Sequence, residues 1–270
     1  MLYWLFKTLL VRPGLILLTR PWLEGEENIP ASGPAILVSN HLSAGDPFLL
    51  PALIKRKLTF PAKAELFQGK GLRGRFTTWF LTSVGQLPMD RSGGRASATS
   101  MDGVLGVLRE GHLLGIYPEG TRSPDGRLYK GKTGVARLVL SAGVPVVPVG
   151  MVNSQFVPSK FGRIPMMRRP GLRFGRPMDF SRYASAGNDR DVLRWVTDEI
   201  MNAVMELSGQ EYVDAYGASV KSAQQEGREL KAPVLPRPGY GRPVPPVPAA
   251  PPVPDPLERA DLPPTTELSA

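Results

Sequence analysis

From Pro34 onward the chain keeps switching its hydrophobic period, and that switching limits its fold more than any other feature. "AILVSN" from Ala35, "LTFPAK" from Leu58, "HLLGIYPEG" from His112, "VPVVPVGMV" from Val144 and "GLRFGRPM" from Gly171 are short apolar or β-branched runs. Each ends in turn or polar residues, as buried strands do. Helical patterns lie between them. "PFLLPALI" follows the first run. "ASATSMDGVLGVLREG" carries Met101, Val104, Leu105 and Leu108 on one face and stops at Gly111. "GKTGVARLVLSAG" carries Val135, Leu138 and Val139 and stops at Gly143. A last helix is expected from about Asp189, with Val192, Val196, Ile200 and Val204 at a spacing of four and Asn188 or Asp189 as its cap. Strand alternating with helix predicts an α/β fold with a largely parallel sheet. A chain of 270 residues, 42% apolar, is long enough for one such domain plus appendages.

The two ends read differently. "MLYWLFKTLLVRPGLILLTRPWL" is apolar and aromatic, but Lys7, Arg12, Pro13 and Arg20 interrupt it. It falls short of the roughly 18 uninterrupted apolar residues of a spanning helix. It also lacks the basic start and small-residue cleavage site of a signal peptide. Two short amphipathic helices broken at Pro13-Gly14 are expected, either on a membrane surface or packed on the protein's own core. On a membrane, Trp4, Phe6 and Trp22 would lie at headgroup depth, with Lys7, Arg12 and Arg20 toward anionic lipid. Beyond about Lys221 the sequence is Pro-rich and of low complexity, and a disordered tail of polyproline II character is expected. "PPVPAAPPVP" could be read by an SH3-type partner or be passive. The expected division is residues 1–24, an interfacial helical segment; 25–220, the α/β domain; and 221–270, the tail.

The chain has no cysteine, which excludes disulfides and thiolate metal sites, and its two histidines argue against a His-rich metal centre. The net charge of +9 points to an anionic partner: nucleic acid, a membrane surface or a phosphorylated substrate. No nucleic-acid motif or aromatic–basic platform is present, so nucleic acid is not expected.

Polar clusters interrupt the apolar runs at four places, each near the end of an expected strand, where α/β sheets bind ligands. "NHLSAGDP" holds His41 and Asp46. If His41 is in the loop and Asp46 opens the next helix, the carboxylate can fix one ring nitrogen and leave the other basic. A plain loop histidine beside a helix cap fits the same residues. "GQLPMDRSGG" holds Arg91, which could grip a phosphate or pair with Asp90 in a surface turn. "YPEGTRSPDG" groups Glu119, Gly120, Thr121 and Arg122 at a strand mouth, though ordinary turns are also rich in Pro, Gly and Ser. "YKGKTGVARL" places Lys130 and Lys132 before a helix start, a phosphate-binding arrangement without Walker spacing.

In this order and spacing, "NHLSAGDP", "GQLPMDR", "YPEGTRS" and "GVPVVPVG" resemble the four blocks of the lysophosphatidate acyltransferases, within the glycerolipid acyltransferase superfamily. An H-x4-D followed some distance on by P-E-G-T-R-S carries most of the resemblance. It implies a mixed, largely parallel sheet flanked by helices. It also implies acyl transfer from acyl-CoA or acyl carrier protein to 1-acylglycerol 3-phosphate, with no metal or other cofactor. Acylation of another lipid acceptor, or a non-catalytic lipid-binding scaffold on the same fold, remains open. In the implied roles His41 is the general base and Asp46 its orienting partner. Arg91, Glu119, Gly120, Thr121, Arg122, Lys130 and Lys132 bind the acceptor. Backbone amides near Gly45 or Gly120 are the expected donors to the developing oxyanion. Tyr117 stands where the family often has Phe. The expected location is the cytoplasmic side of the plasma membrane, peripheral or monotopic.

Overall fold

The computed structural model describes residues 4, 6–83, 85–89, 94–159 and 162–249. In chain order the elements begin with a π-helical turn (Phe6–Val11), helix α1 (Arg12–Thr19) and strand β1 (Trp22–Glu24). Strand β2 (Ala35–Ser39), helix α2 (Asp46–Leu53), strand β3 (Leu58–Lys63), helix α3 (Gly71–Ser83) and strand β4 (Gln86–Met89) follow. Next come helix α4 (Gly94–Arg109), strands β5 (Leu113–Ile116) and β6 (Leu128–Tyr129), and helix α5 (Gly134–Ala142). Strand β7 (Val146–Val152), a hairpin of β8 (Phe156–Ser159) and β9 (Gly162–Met167), and strand β10 (Gly171–Phe174) complete the sheets' main components. Helix α6 (Arg190–Ser208), strand β11 (Tyr212–Val213), helix α7 (Gly217–Gln225) and strand β12 (Val234–Leu235) close the described chain.

Seven strands form the main sheet in the order β1-β10-β7-β2-β5-β3-β4. The five strands from β7 to β4 are mutually parallel, β10 runs antiparallel to β7, and β1 is parallel to β10. The sheet is therefore mixed and mostly parallel, as the alternation of strand and helix implies.

Strand β2 shows why the apolar runs are continuous rather than alternating. All five of its residues are buried. Ile36 and Val38 pack on one face with Leu114, Val139, Val196 and Ile200. Ala35 and Leu37 pack on the other with Leu49, Leu53, Leu58 and Val149. A central strand with helices on both faces has no wet side, so each position must be apolar. Each fully buried Val, Leu or Ile contributes about 1.5–3 kcal/mol. Helix ends follow the local signals. Asp189 caps α6 by accepting from the amides of Asp191 (2.8 Å) and Val192 (3.1 Å). Helix α5 stops at Gly143 in the left-handed region (φ 59°).

Three expectations need correction. First, no break occurs at Pro13-Gly14. Pro13 lies in the first turn of α1, where its missing N–H is not needed, and the π-turn before it leads straight into the helix. Lys7 does not face outward either: it is buried, and its Nζ donates to the Ile54 carbonyl at 2.5 Å. Second, the segment expected to span 1–24 ends inside the sheet, because Trp22–Glu24 pairs with Gly171–Arg173. Third, the fixed part of the chain runs beyond residue 220. Lys221 lies within α7, Val234–Leu235 pairs with Tyr212–Val213, and Arg242 reaches the buried Asp198 at 3.1 Å. Composition registers only apolar surface, whereas these residues are held by backbone pairing and an ion pair. Residues 250–270, with half of the expected SH3-type stretch, lie outside the described residues.

Candidate active site

Val38 of β2 stands opposite Ile116 of β5 in parallel register. The segments Asn40-His41 and Tyr117-Pro118-Glu119 therefore leave the sheet side by side at the same edge. Asn40 fastens the first of them: its side chain donates to the Met151 carbonyl (3.0 Å) and accepts from the Met151 amide (2.7 Å).

The chain between His41 and Asp46 wraps around the Asp46 carboxylate. Oδ2 of Asp46 lies 2.8 Å from His41 Nδ1 and accepts from the amides of Leu42 (2.6 Å) and Ser43 (2.8 Å). Oδ1 accepts from Ser43 Oγ at 3.0 Å. Asp46 is fully buried in the first turn of α2, where the four donors and the helix N-terminus compensate its charge. Against an ionised carboxylate, which only accepts, the His41 ring donates from Nδ1, and in that neutral tautomer Nε2 carries the lone pair. A side chain at position 45 would run into Met167 and Phe156, so Gly45 lets the β8–β9 hairpin close over this loop.

Stacked rings hold the imidazole from its face. The Tyr117 ring lies 4.1 Å from His41 at 17°, and Phe60 lies 5.2 Å from Tyr117 at 9°. Burial, and then the charge of Asp46, push the Tyr117 hydroxyl well above its ordinary pKa. That hydroxyl has no hydrogen-bond partner among the described residues.

The loop 119–123 grips His41 by its backbone. Glu119 Oε1 accepts the His41 N–H at 3.1 Å, and the Ser123 N–H donates to the His41 carbonyl at 2.7 Å. Glu119 Oε2 accepts from the Tyr129 amide at 3.0 Å. Burial raises the Glu119 pKa to about 8, outweighing the two amide bonds that lower it. Glu119 is 1% exposed, with both carboxylate oxygens turned to backbone amides, so it clamps the chain behind His41, whereas the resemblance implies a residue that binds the acceptor.

Gly120 makes the turn that follows in the left-handed region (φ 70°). Thr121 Oγ1 accepts from Lys221 Nζ of α7 at 2.9 Å. Arg122 and Lys132 are exposed and have no ion-pair partner among the described residues, and the Lys132 side chain passes over Gly120. Lys130, expected beside them, is instead paired with Asp214 at 2.9 Å. Its charge is already compensated. Arg91 lies outside the described residues, although β4 runs parallel to β3 toward the same edge. Of the amides around the expected oxyanion donors, that of Gly45 donates to Ser43 Oγ (3.1 Å) and that of Gly120 to the Tyr117 carbonyl (3.0 Å).

Sequence reasoning missed Ser43, Asn40 and Lys221. Ser43, three residues before Asp46, is a position from which a short hydroxyl reaches a helix-opening carboxylate. Nothing near Lys221 signals its contact with Thr121, one hundred residues away.

Residues 20–152 match the family described as Acyltransferase. A chloroplastic 1-acyl-sn-glycerol-3-phosphate acyltransferase of Arabidopsis thaliana is 33% identical over 133 residues, covering 49% of this chain and 36% of that protein. The 1-acyl-sn-glycerol-3-phosphate acyltransferase of Borreliella burgdorferi is 32% identical over 130 residues, covering 48% and 50%. The chain thus spans half or less of the length of these relatives. The crystal structure of the 1-acyl-sn-glycerophosphate acyltransferase of Thermotoga maritima superposes with a TM-score of 0.52 at 26% identity, covering 70% of this chain and 73% of that one. Fold and sequence thus liken residues 20–152 to acyltransferases. Within that class, the matched segment is similar to 1-acyl-sn-glycerol-3-phosphate acyltransferases.

Proposed function

We propose that this chain transfers a fatty acyl group from an acyl thioester to the free hydroxyl of 1-acylglycerol 3-phosphate, releasing phosphatidate and a thiol. The donor is acyl-CoA or acyl carrier protein. One observation carries the reading: the His41–Asp46 pair sits on a loop bonded at both its N–H and its C=O to the loop that bears Arg122. A proton acceptor and a phosphate-binding cation are thereby tied together.

Nε2 of His41 takes the proton of the acceptor hydroxyl as its oxygen attacks the thioester carbonyl. The buried Asp46 carboxylate stabilises the imidazolium that forms. When the tetrahedral intermediate collapses, the C–S bond breaks and the thiolate takes up a proton. Arg122 and Lys132 hold the acceptor phosphate, and Arg91 is a further expected contact. Fixing the phosphate positions the hydroxyl against His41 and lowers the entropic barrier to attack.

The acceptor lives in a bilayer, and the protein has apolar surface to meet one. Leu9, Ile16, Leu17 and Leu18 in the N-terminal helices are exposed, as are Leu72, Phe76 and Trp79 on α3. Among the described residues no helix is long and apolar enough to cross a membrane. The reading is peripheral attachment to an anionic membrane, at the cytoplasmic face of the plasma membrane.

The test is transfer from labelled acyl-CoA to lysophosphatidate, glycerol 3-phosphate and a lysophospholipid with a larger head group. Labelled phosphatidate as the main product is expected. Preferential acylation of another acceptor, or transfer to none, would overturn the proposal.

A further inference from the structure

We infer that Lys221, on the C-terminal helix α7, is a third cationic contact to the acceptor's phosphate monoester, beside Arg122 and Lys132. This rests on the acceptor proposed above. Lys221 lies well outside residues 20–152, the part of the chain that matches the family.

The geometry brings Lys221 to the same loop from the opposite direction. Its Nζ donates to Thr121 Oγ1 at 2.9 Å, which places the ammonium between Glu119 and Arg122 in sequence. Helix α7 approaches this loop closely: a side chain at Gly217 would lie 3.3 Å from Thr121 Cγ2 and 3.5 Å from the Tyr129 ring. The strand before it, β11, pairs in parallel with β6, and Asp214 pairs with Lys130. Lys221 is therefore preorganised by three separate contacts of its segment.

Among the described residues no carboxylate forms an ion pair with Lys221. Partial burial, and then the charge of Arg122, lower the Lys221 pKa, while Glu119 opposes them. Glu119 offers little as a partner, because both its oxygens accept backbone amides. Thr121 accepts one N–H of the ammonium, and two are left. Like charges gathered without a carboxylate repel one another, and a doubly charged phosphate relieves that repulsion while accepting their hydrogen bonds.

The experiment uses the full chain with acyl-CoA and lysophosphatidate in mixed micelles, comparing wild type, Lys221→Met, Lys221→Arg and Thr121→Val. In Lys221→Met the KM for lysophosphatidate should rise about tenfold or more, the loss of one charge-assisted bond. The KM for acyl-CoA should not change. Lys221→Arg should recover most of the affinity, and Thr121→Val, which only frees the ammonium, should give a smaller rise. An acceptor KM within about twofold of wild type in Lys221→Met, or a parallel fall in all kinetic parameters that Arg does not rescue, would overturn the inference. If wild type acylates lysophosphatidate and Lys221→Met is unaffected, only the role of Lys221 fails. If wild type does not acylate lysophosphatidate at all, the proposed function fails and this inference with it.

Discussion

Glu119 accepts the backbone N–H of His41 at 3.1 Å, so the third sequence block holds the first one in place rather than standing across a cleft from it. With the Ser123 N–H on the His41 carbonyl, the histidine is fixed by both ends of one five-residue loop. The same loop projects Arg122 outward. The proposed base and the proposed phosphate contact are thus parts of one hydrogen-bonded unit, and changes to the unit have separable consequences.

Replacing Asp46 by Asn should lower kcat by about a hundredfold or more, because the amide cannot accept from every donor that the carboxylate serves and no longer fixes Nδ1–H. The Leu42 and Ser43 amides would lose an acceptor or meet an N–H. Steady-state transfer rates on protein of verified fold check this; a rate near wild type would show that the carboxylate does not orient the base.

Glu119 links stability to pH. Its pKa is about 8 in the folded state against 4.5 ordinarily, so folding favours the protonated form. Its contribution is fully present below pH 4.5 and is lost as pH rises through about 8. Glu119→Gln has no charge to bury. The melting temperature of wild type should therefore fall relative to Glu119→Gln between these limits, although Gln loses an acceptor for the Tyr129 amide at every pH. A difference that does not vary with pH would contradict the assignment.

Tyr117→Phe should stabilise the protein by about 1–3 kcal/mol, since it removes a buried hydroxyl without a partner and keeps the ring stacked on His41. Chemical denaturation measures this directly. A loss of stability would mean that the hydroxyl is hydrogen-bonded in solution.

Membrane attachment is tested without disturbing the fold by Leu17→Asp with Leu18→Asp, because these side chains are 82% and 64% exposed. Flotation with anionic vesicles should show a smaller bound fraction for the double variant. Truncation should stop before Trp22, which belongs to β1 and lies against Gly171.

The inner strands β2, β3, β5, β7 and β10 were legible because burial on both faces leaves continuous apolar runs. Helices α4, α5 and α6 were legible from their stripes and glycine or Asp ends. Helix α3 was not: "GLRGRFTTWFLTS" has no apolar stripe and leaves Leu72, Phe76 and Trp79 exposed. The two-residue strands β6, β11 and β12 carry no periodicity at all. In the site, the closeness of His41 and Asp46 could be read because it is local. The clamp role of Glu119, the pairing of Lys130 with Asp214 and the arrival of Lys221 depend on contacts distant in sequence, which residue type and spacing do not encode.

The most direct measurement is the rate of acyl transfer from labelled acyl-CoA to lysophosphatidate by His41→Ala, on protein that melts like wild type. General-base catalysis by His41 predicts a fall of about a hundredfold or more in kcat with acceptor KM little changed. Transfer at the wild-type rate would contradict it.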